Sequence, residues 1–310
     1  MIKDTIAEQL VYSTVKLTCY NSNLISNGTA FFMQMIYDEK NVTALVTNKH
    51  VVTSDEQHTC FFEQADLILT KADNNRNPID TDHITLHIDN LKQRCVFHPT
   101  TSIDLCLVFI NDLINEKEKE GIHLYFRCIS NNSLISNEDL QDLTPIEDIV
   151  MIGYPIGLID DANNKPVIRK GITATDIRLN YKGRQEFVID AACFHGSSGS
   201  PVFLRKMGLA KEQTEKGLTI GMQPSYAFLG ILYAGPVETV DGEIKIKTIP
   251  TSKVLFSESE HTINLGYIIK ASVIADLFNI INAKNNDYEW KINSNADENM
   301  VEIGDSRFLN

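Results

Sequence analysis

Apolar and polar residues alternate over short runs along most of the chain. VYSTVKLTCY (11–20), GTAFFMQMIY (28–37) and VTALVT (42–47) are rich in β-branched and aromatic residues and read as strands. DEKN, between the second and third, is a tight polar connection suited to a hairpin. Further strands are expected at ITLHI (84–88), LCLVFI (105–110), IVMIGY (149–154), VIRKGITATDI (167–177) and EFVIDAA (186–192). The series continues with PVFL (201–204), FLGILYA (228–234), EIKIKTI (243–249) and NLGYIIK (264–270). Short strands at this density predict an all-β fold of barrels or sandwiches, not an alternating α/β sheet.

One long helix stands out against this background. ASVIADLFNIINAK (271–284) places Val273, Ile274, Leu277, Ile280 and Ile281 on one stripe, which would dock on a barrel. The polar, turn-rich stretch 131–145 reads as a linker between two halves, 1–130 and 146–284. Residues 285–310 lose the strand pattern and carry six acids against two bases, Lys291 and Arg307, as an acidic tail or lid would. No internal repeat of domain scale is visible.

Composition narrows the function class. The 310 residues are 43% hydrophobic and 22% charged, an ordinary globular balance that excludes disorder as the main state. The net charge of -13 is opposite to that of a phosphate-backbone binder, so no nucleic-acid partner is expected. No apolar run is long enough for a membrane helix, and Asp4, Glu8 and Gln9 interrupt any secretory signal at the start. The six cysteines, at 19, 60, 95, 106, 128 and 193, form no CxxC pair and show no metal-ligand spacing. Scattered thiols in a chain of this size fit a reducing, cytoplasmic setting without metal or cofactor.

Three residues carry candidate chemistry. Ser198 lies in FHGSSGSPVF (194–203), where glycines 196 and 199 permit a sharp turn that lets amide N–H groups converge. His50 lies in ALVTNKHVV (44–52), just past an apolar strand, and could present its imidazole to a groove as a general base. Asp104 precedes the apolar strand 105–110 and could fix the tautomer of an imidazole. Singly, each has an ordinary reading: a Gly/Ser turn, a structural histidine, a strand-start aspartate. In the order His, Asp, Ser, each in its own context, they are far more specific.

At these residues the sequence resembles the trypsin-like (chymotrypsin-fold) serine peptidases, and within them the Deg/HtrA-type branch. The likeness rests on TNKHV (47–51), DLCL (104–107) and GSSGSP (196–201), with MIGYPIGL (151–158), LGILYAG (229–235) and NLGYIIKA (264–271) in the expected order. It covers about residues 9–283. It implies two six-stranded antiparallel β-barrels, followed by the C-terminal helix, with the site in the crevice between them. His50 and Asp104 would come from the first barrel and Ser198 from the second. Ser198 would attack a peptide carbonyl, and the backbone N–H groups of Gly196 and Ser198 would hold the oxyanion. Protein or peptide substrates are therefore expected.

The departures from the family pattern are informative. Before the nucleophile stands Ser197, not the aspartate that pairs with a newly cut N-terminus, so zymogen activation of that kind is not expected. Ala192 would form the base of the specificity pocket, with Cys193 next to it, Tyr233, Ala234 and Gly235 along one wall and Gly266 along another. That set favours a small or apolar P1 side chain. Cys193 as a nucleophile is the weaker alternative to Ser198, because no oxyanion elbow follows it. Two insertions, 207–228 and 236–263, would lie near the crevice, and no PDZ-like domain fits in the residues after the helix. A regulated endopeptidase of narrow specificity is expected, gated by a regulatory protein partner, by loop order or by substrate scarcity. Stand-alone bacterial members that resemble it act as effectors in stress or antiphage systems. The reading from another class is a peptide-binding module that keeps the fold without turnover, and a third is esterase activity on small acyl groups with the same triad.

Overall fold

The computed structural model describes residues 5–37, 40–130, 133–214, 217–244, 255–262 and 264–283. The described part opens with α1 (Ile6–Val11), capped by Thr5 in a box that the Glu8 side chain closes. β1 (Thr14–Tyr20), β2 (Ile25–Tyr37) and β3 (Lys40–Thr47) follow as an antiparallel meander, and then come α2 (Lys49–Val52), β4 (Gln64–Ala72) and β5 (Pro78–Ile88). α3 (Leu91–Arg94), β6 (Cys95–Phe97), β7 (Cys106–Phe109), α4 (Asn111–Lys119) and β8 (Leu124–Tyr125) complete the first half. The strands order as β5-β4-β1-β2-β3-β7-β6, with β8 added to β4.

The second half contains α5 (Asn137–Gln141), β9 (Asp148–Gly153), β10 (Val167–Thr173), β11 (Glu186–Asp190), β12 (Pro201–Thr214) and β13 (Gly217–Ala234). β14 (Val237–Ile244), β15 (Leu255–Thr262), β16 (Leu265–Lys270) and α6 (Ala271–Ala283) follow. Six strands close a barrel in the order β10-β11-β16-β13-β12-β9, while β14 and β15 pair as a separate ribbon. The architecture is mostly β, as the alternation predicts, and the one long helix falls where its apolar period places it.

Three apolar clusters explain the arrangement. In the first sheet, Val15, Leu17 and Cys19 of β1 meet Ala30 and Phe32 of β2, Leu67 and Leu69 of β4 and Val108 of β7. Those alternate residues from distant strands share one core, so the sheet wraps around it. Ile149, Met151, Phe187, Ile189, Val202, Leu229 and Ile268 fill the barrel. The third cluster joins the halves: Phe31, Met33, Val46 and Leu107 pack with Val150, Ile152, Phe203 and Phe228, and with Val273, Ile274, Leu277 and Ile281 of α6. The helix therefore seals the seam between the two halves.

The inter-half stretch is packed rather than bare. Ile135 N–H donates to the Phe228 carbonyl at 3.2 Å, and Leu143 is buried in the barrel core. The 207–228 insertion extends the β12–β13 ladder out to Thr214↔Gly217. The 236–263 insertion supplies the β14–β15 ribbon, and the end of the strand expected at 243–249 lies outside the described residues, as does the acidic tail 285–310. Among the described residues no helix is long and apolar enough to cross a membrane.

Candidate active site

His50 is held by its neighbours. β3 is buried from Val42 to Thr47 and hands over through Asn48 to the short α2, where Val51 and Val52 enter the first core. The imidazole is left at the surface, 40% exposed. Asp104 stands two residues before β7, whose Cys106 pairs with Thr47, so the carboxylate comes level with α2. Its Oδ2 lies 2.5 Å from His50 Nδ1, and its Oδ1 accepts the backbone N–H groups of Lys49 at 2.6 Å and His50 at 3.2 Å. The Asn48 side-chain amide donates to the Asp104 carbonyl at 2.7 Å. Burial pushes the Asp104 carboxyl up, but the hydrogen bonds and charge of His50 outweigh it and hold the group below the usual carboxylate range. An ionised acceptor at Nδ1 selects the tautomer that leaves Nε2 free to take a proton.

Ser198 follows a tight turn. Ser197 N–H donates back to the Phe194 carbonyl at 3.0 Å, and Gly196, with φ +81°, occupies the position of that turn that needs a left-handed residue. A Cβ on Gly196 would lie 2.8 Å from the Tyr154 carbonyl, so close approach demands glycine as well. The His195 carbonyl accepts from Ile156 N–H at 2.5 Å, and the Ser197 carbonyl accepts from Ser200 N–H at 3.0 Å. In a trans peptide the C=O and N–H point in opposite directions. Anchoring those two carbonyls therefore aims the N–H groups of Gly196 and Ser198 away from the protein side of the turn. Among the described residues, neither N–H has an acceptor. The Ser198 hydroxyl donates to the Tyr233 carbonyl at 3.4 Å.

His50 and Ser198 line one cavity of about 240 Å³, together with Cys193, Phe194, His195, Leu232, Tyr233, Ala234, Gly235 and Pro236. Of the residues expected in a specificity pocket, Cys193, Tyr233, Ala234 and Gly235 are brought together here. Ala192 and Gly266 are not on its surface. Gly266 backs it, since a Cβ there would sit 2.7 Å from the Cys193 Sγ. No carboxylate lines the cavity among the described residues. Burial pushes the Cys193 thiol up to about 11, so it is protonated at neutral pH and makes a poor nucleophile. Phe194, Leu232 and Pro236 were not singled out as pocket residues, although the first two lie within the motifs 194–203 and 229–235 and the third directly follows one. Among the described residues no group of three His, Cys, Asp or Glu side chains is arranged to hold a metal ion.

This geometry can support acyl transfer: a hydroxyl and an oriented imidazole share one crevice, and two amides are aimed by anchored carbonyls. Comparison with known proteins agrees in kind. Residues 28–209 match the family model described as trypsin-like peptidase domain. No curated protein matches the chain. Among solved structures, a serine endoprotease from Yersinia pestis is similar at 14% identity and a TM-score of 0.43, covering 90% of this chain and 66% of that one. The thermostable serine protease AL20 from an extremophilic microorganism is similar at 12% identity and a TM-score of 0.46, covering 89% and 99%. The MamO protease domain from Magnetospirillum magneticum gives 12% identity and a TM-score of 0.40, covering 87% and 97%.

Proposed function

The chain belongs to the trypsin-like peptidase family, and from that premise we propose that it cleaves peptide bonds through His50, Asp104 and Ser198. One observation carries the assignment: His50, bonded at Nδ1 to the Asp104 carboxylate, and Ser198 open onto the same cavity. On substrate binding the Ser198 hydroxyl leaves the Tyr233 carbonyl and turns to His50. Nε2 takes its proton as Oγ attacks the scissile carbonyl, and Asp104 stabilises the imidazolium that forms. The N–H groups of Gly196 and Ser198 hold the oxyanion. His50 then gives the proton to the leaving amine, and water enters by the same route to hydrolyse the acyl-enzyme.

The cavity wall favours a small or medium apolar P1 side chain. A lysine or arginine there would be stranded without a partner, at a cost of roughly several kcal/mol for a buried unpaired charge. An aliphatic side chain would gain about 1.5–3 kcal/mol by leaving water. A gated enzyme of narrow specificity, released by a protein partner, is the second reading. It is favoured by the Ser198 hydroxyl being bonded to the Tyr233 carbonyl.

A fluorophosphonate probe tests the assignment directly. Labelling at Ser198 is expected, and is lost in Ser198→Ala and His50→Ala. No labelling under any activating condition would leave a peptide-binding module in place of an enzyme. Cleavage-site profiling on a proteome-derived peptide library is expected to show Ala, Val, Leu or Met at P1. A strong Lys or Arg preference there would overturn the pocket while leaving the triad standing.

A further inference from the structure

We propose that Thr29 is the positioning residue of the oxyanion turn: from the first half of the molecule it clamps the two turns of the second half that aim the Gly196 and Ser198 amides. The proposal rests on the triad reading above. Thr29 lies on β2, is 0% exposed, and belongs to neither the triad nor the cavity lining. All its polar groups are engaged, the N–H and the hydroxyl across the seam and the carbonyl within its own half. Its N–H donates to the Ser198 carbonyl at 2.8 Å, and its hydroxyl donates to the Gly196 carbonyl at 3.0 Å. The same hydroxyl accepts the Tyr154 N–H at 3.0 Å, and the Thr29 carbonyl accepts the Thr47 hydroxyl at 2.8 Å. A hydroxyl has one proton and two lone pairs, so the single proton is committed to Gly196.

The consequence follows from peptide geometry. Thr29 fixes the peptide plane after Gly196 and the plane after Ser198, the two that alternate with the planes bearing the oxyanion donors. Through Tyr154 it also fixes the start of the turn 154–158. That turn supplies the Ile156 N–H that anchors the His195 carbonyl. It is a strained support. Ile156, a β-branched residue, sits at φ 53° and ψ 24°, in the left-handed region that such residues avoid. Without an external tie, the turn has a reason to relax and let the His195–Gly196 peptide rotate. The fit is tight on the other side as well: a Cβ on Gly199 would lie 1.7 Å from the Thr29 carbonyl.

Thr29→Val keeps the shape and the N–H but removes both hydroxyl bonds, and Thr29→Ser keeps the hydroxyl. For Thr29→Val, kcat and the rate of Ser198 labelling are expected to fall about ten- to a hundred-fold, less than the roughly hundred- to thousand-fold loss on removing an oxyanion donor outright, with KM nearly unchanged. Affinity for a peptidyl aldehyde, whose adduct places an oxyanion in the hole, should fall in parallel, while affinity for the matching peptide amide holds. Thr29→Ser should recover most of the rate at similar thermal stability. Wild-type labelling by Thr29→Val, or an equal loss of aldehyde and amide affinity, overturns the proposal. Absence of labelling in the wild type sinks the triad reading instead. In that case a crystal structure of Thr29→Val decides the clamp alone: if Gly196 keeps its left-handed φ and the Ile156–His195 bond survives, Thr29 does not position the turn.

Discussion

Single residues were legible in the sequence where local context announces them. His50 and Asp104 flank apolar runs and Ser198 lies within a glycine turn; His50 and Ser198 line one crevice, and Asp104 is bonded to His50. Thr29 is different in kind. Its hydroxyl partners, Tyr154 and Gly196, are 125 and 167 positions away, and no local pattern marks a buried threonine as a clamp. The residue best suited to a quantitative test is Asp104. Asp104→Asn leaves the shape intact but removes the charge that supports an imidazolium, so kcat/KM is expected to fall about 10⁴-fold. The same variant has a pH signature. Because the folded carboxyl sits below its ordinary value, its stabilisation is complete above the ordinary carboxylate range and is lost as pH falls through the folded value. The gap in thermal midpoint between wild type and Asp104→Asn should therefore close as pH falls below about 4. A gap that stays open through the acid range would remove the ionised Asp104 from the site.

Elements were legible in proportion to their length and alternation. β2, β3 and β16 fall on runs that the period exposes, and α6 on its apolar stripe. β4 was missed although Ala65, Leu67 and Leu69 alternate into the core, because charged neighbours at Asp66 and Lys71 mask a short pattern. β6 and β8 are too short to show any period. α1 carried an unread signal, the Thr5–Glu8 capping box. The 207–228 insertion proved to be a continuation of two barrel strands. β12 joins β9 only over Val202–Leu204, and β13 joins β16 only over Gly230–Ala234. The distal ladder, Met207↔Pro224 to Thr214↔Gly217, pairs only with itself among the described residues. Replacing 208–223 by a two-residue turn should therefore leave the barrel folded. Ser198 labelling should be unchanged and the thermal midpoint lowered by no more than a few degrees, as differential scanning fluorimetry would read. Collapse of the fold would mean that the hairpin is part of the barrel's support.

At the scale of the whole molecule, the proposed catalytic geometry depends on a seam. His50 and Asp104 belong to the first half and Ser198 to the second, so their alignment is set by whatever fixes one half against the other. The shared cluster does so with residues of both halves and with α6. Separate domains with separate cores would be expected to unfold separately, whereas a common core couples them. Leu277, on α6, is fully buried in that cluster and does not line the crevice. Leu277→Ala is expected to cost about 2–5 kcal/mol, the range for emptying a buried leucine site. Leu67→Ala, in the core of the first sheet alone, should cost a similar amount by the same mechanism. If the molecule is one cooperative unit, both variants unfold in a single calorimetric transition, with calorimetric and van't Hoff enthalpies equal. Loss of Ser198 labelling on heating should then coincide with that transition in each. A division into independent halves predicts something else: Leu67→Ala would lower one of two transitions, leaving the barrel and its oxyanion turn folded while activity disappears. Two resolved transitions would place the proposed alignment of His50 and Ser198 on a weak docking contact instead of a continuous core, and the helix that covers the seam would not be what holds them together.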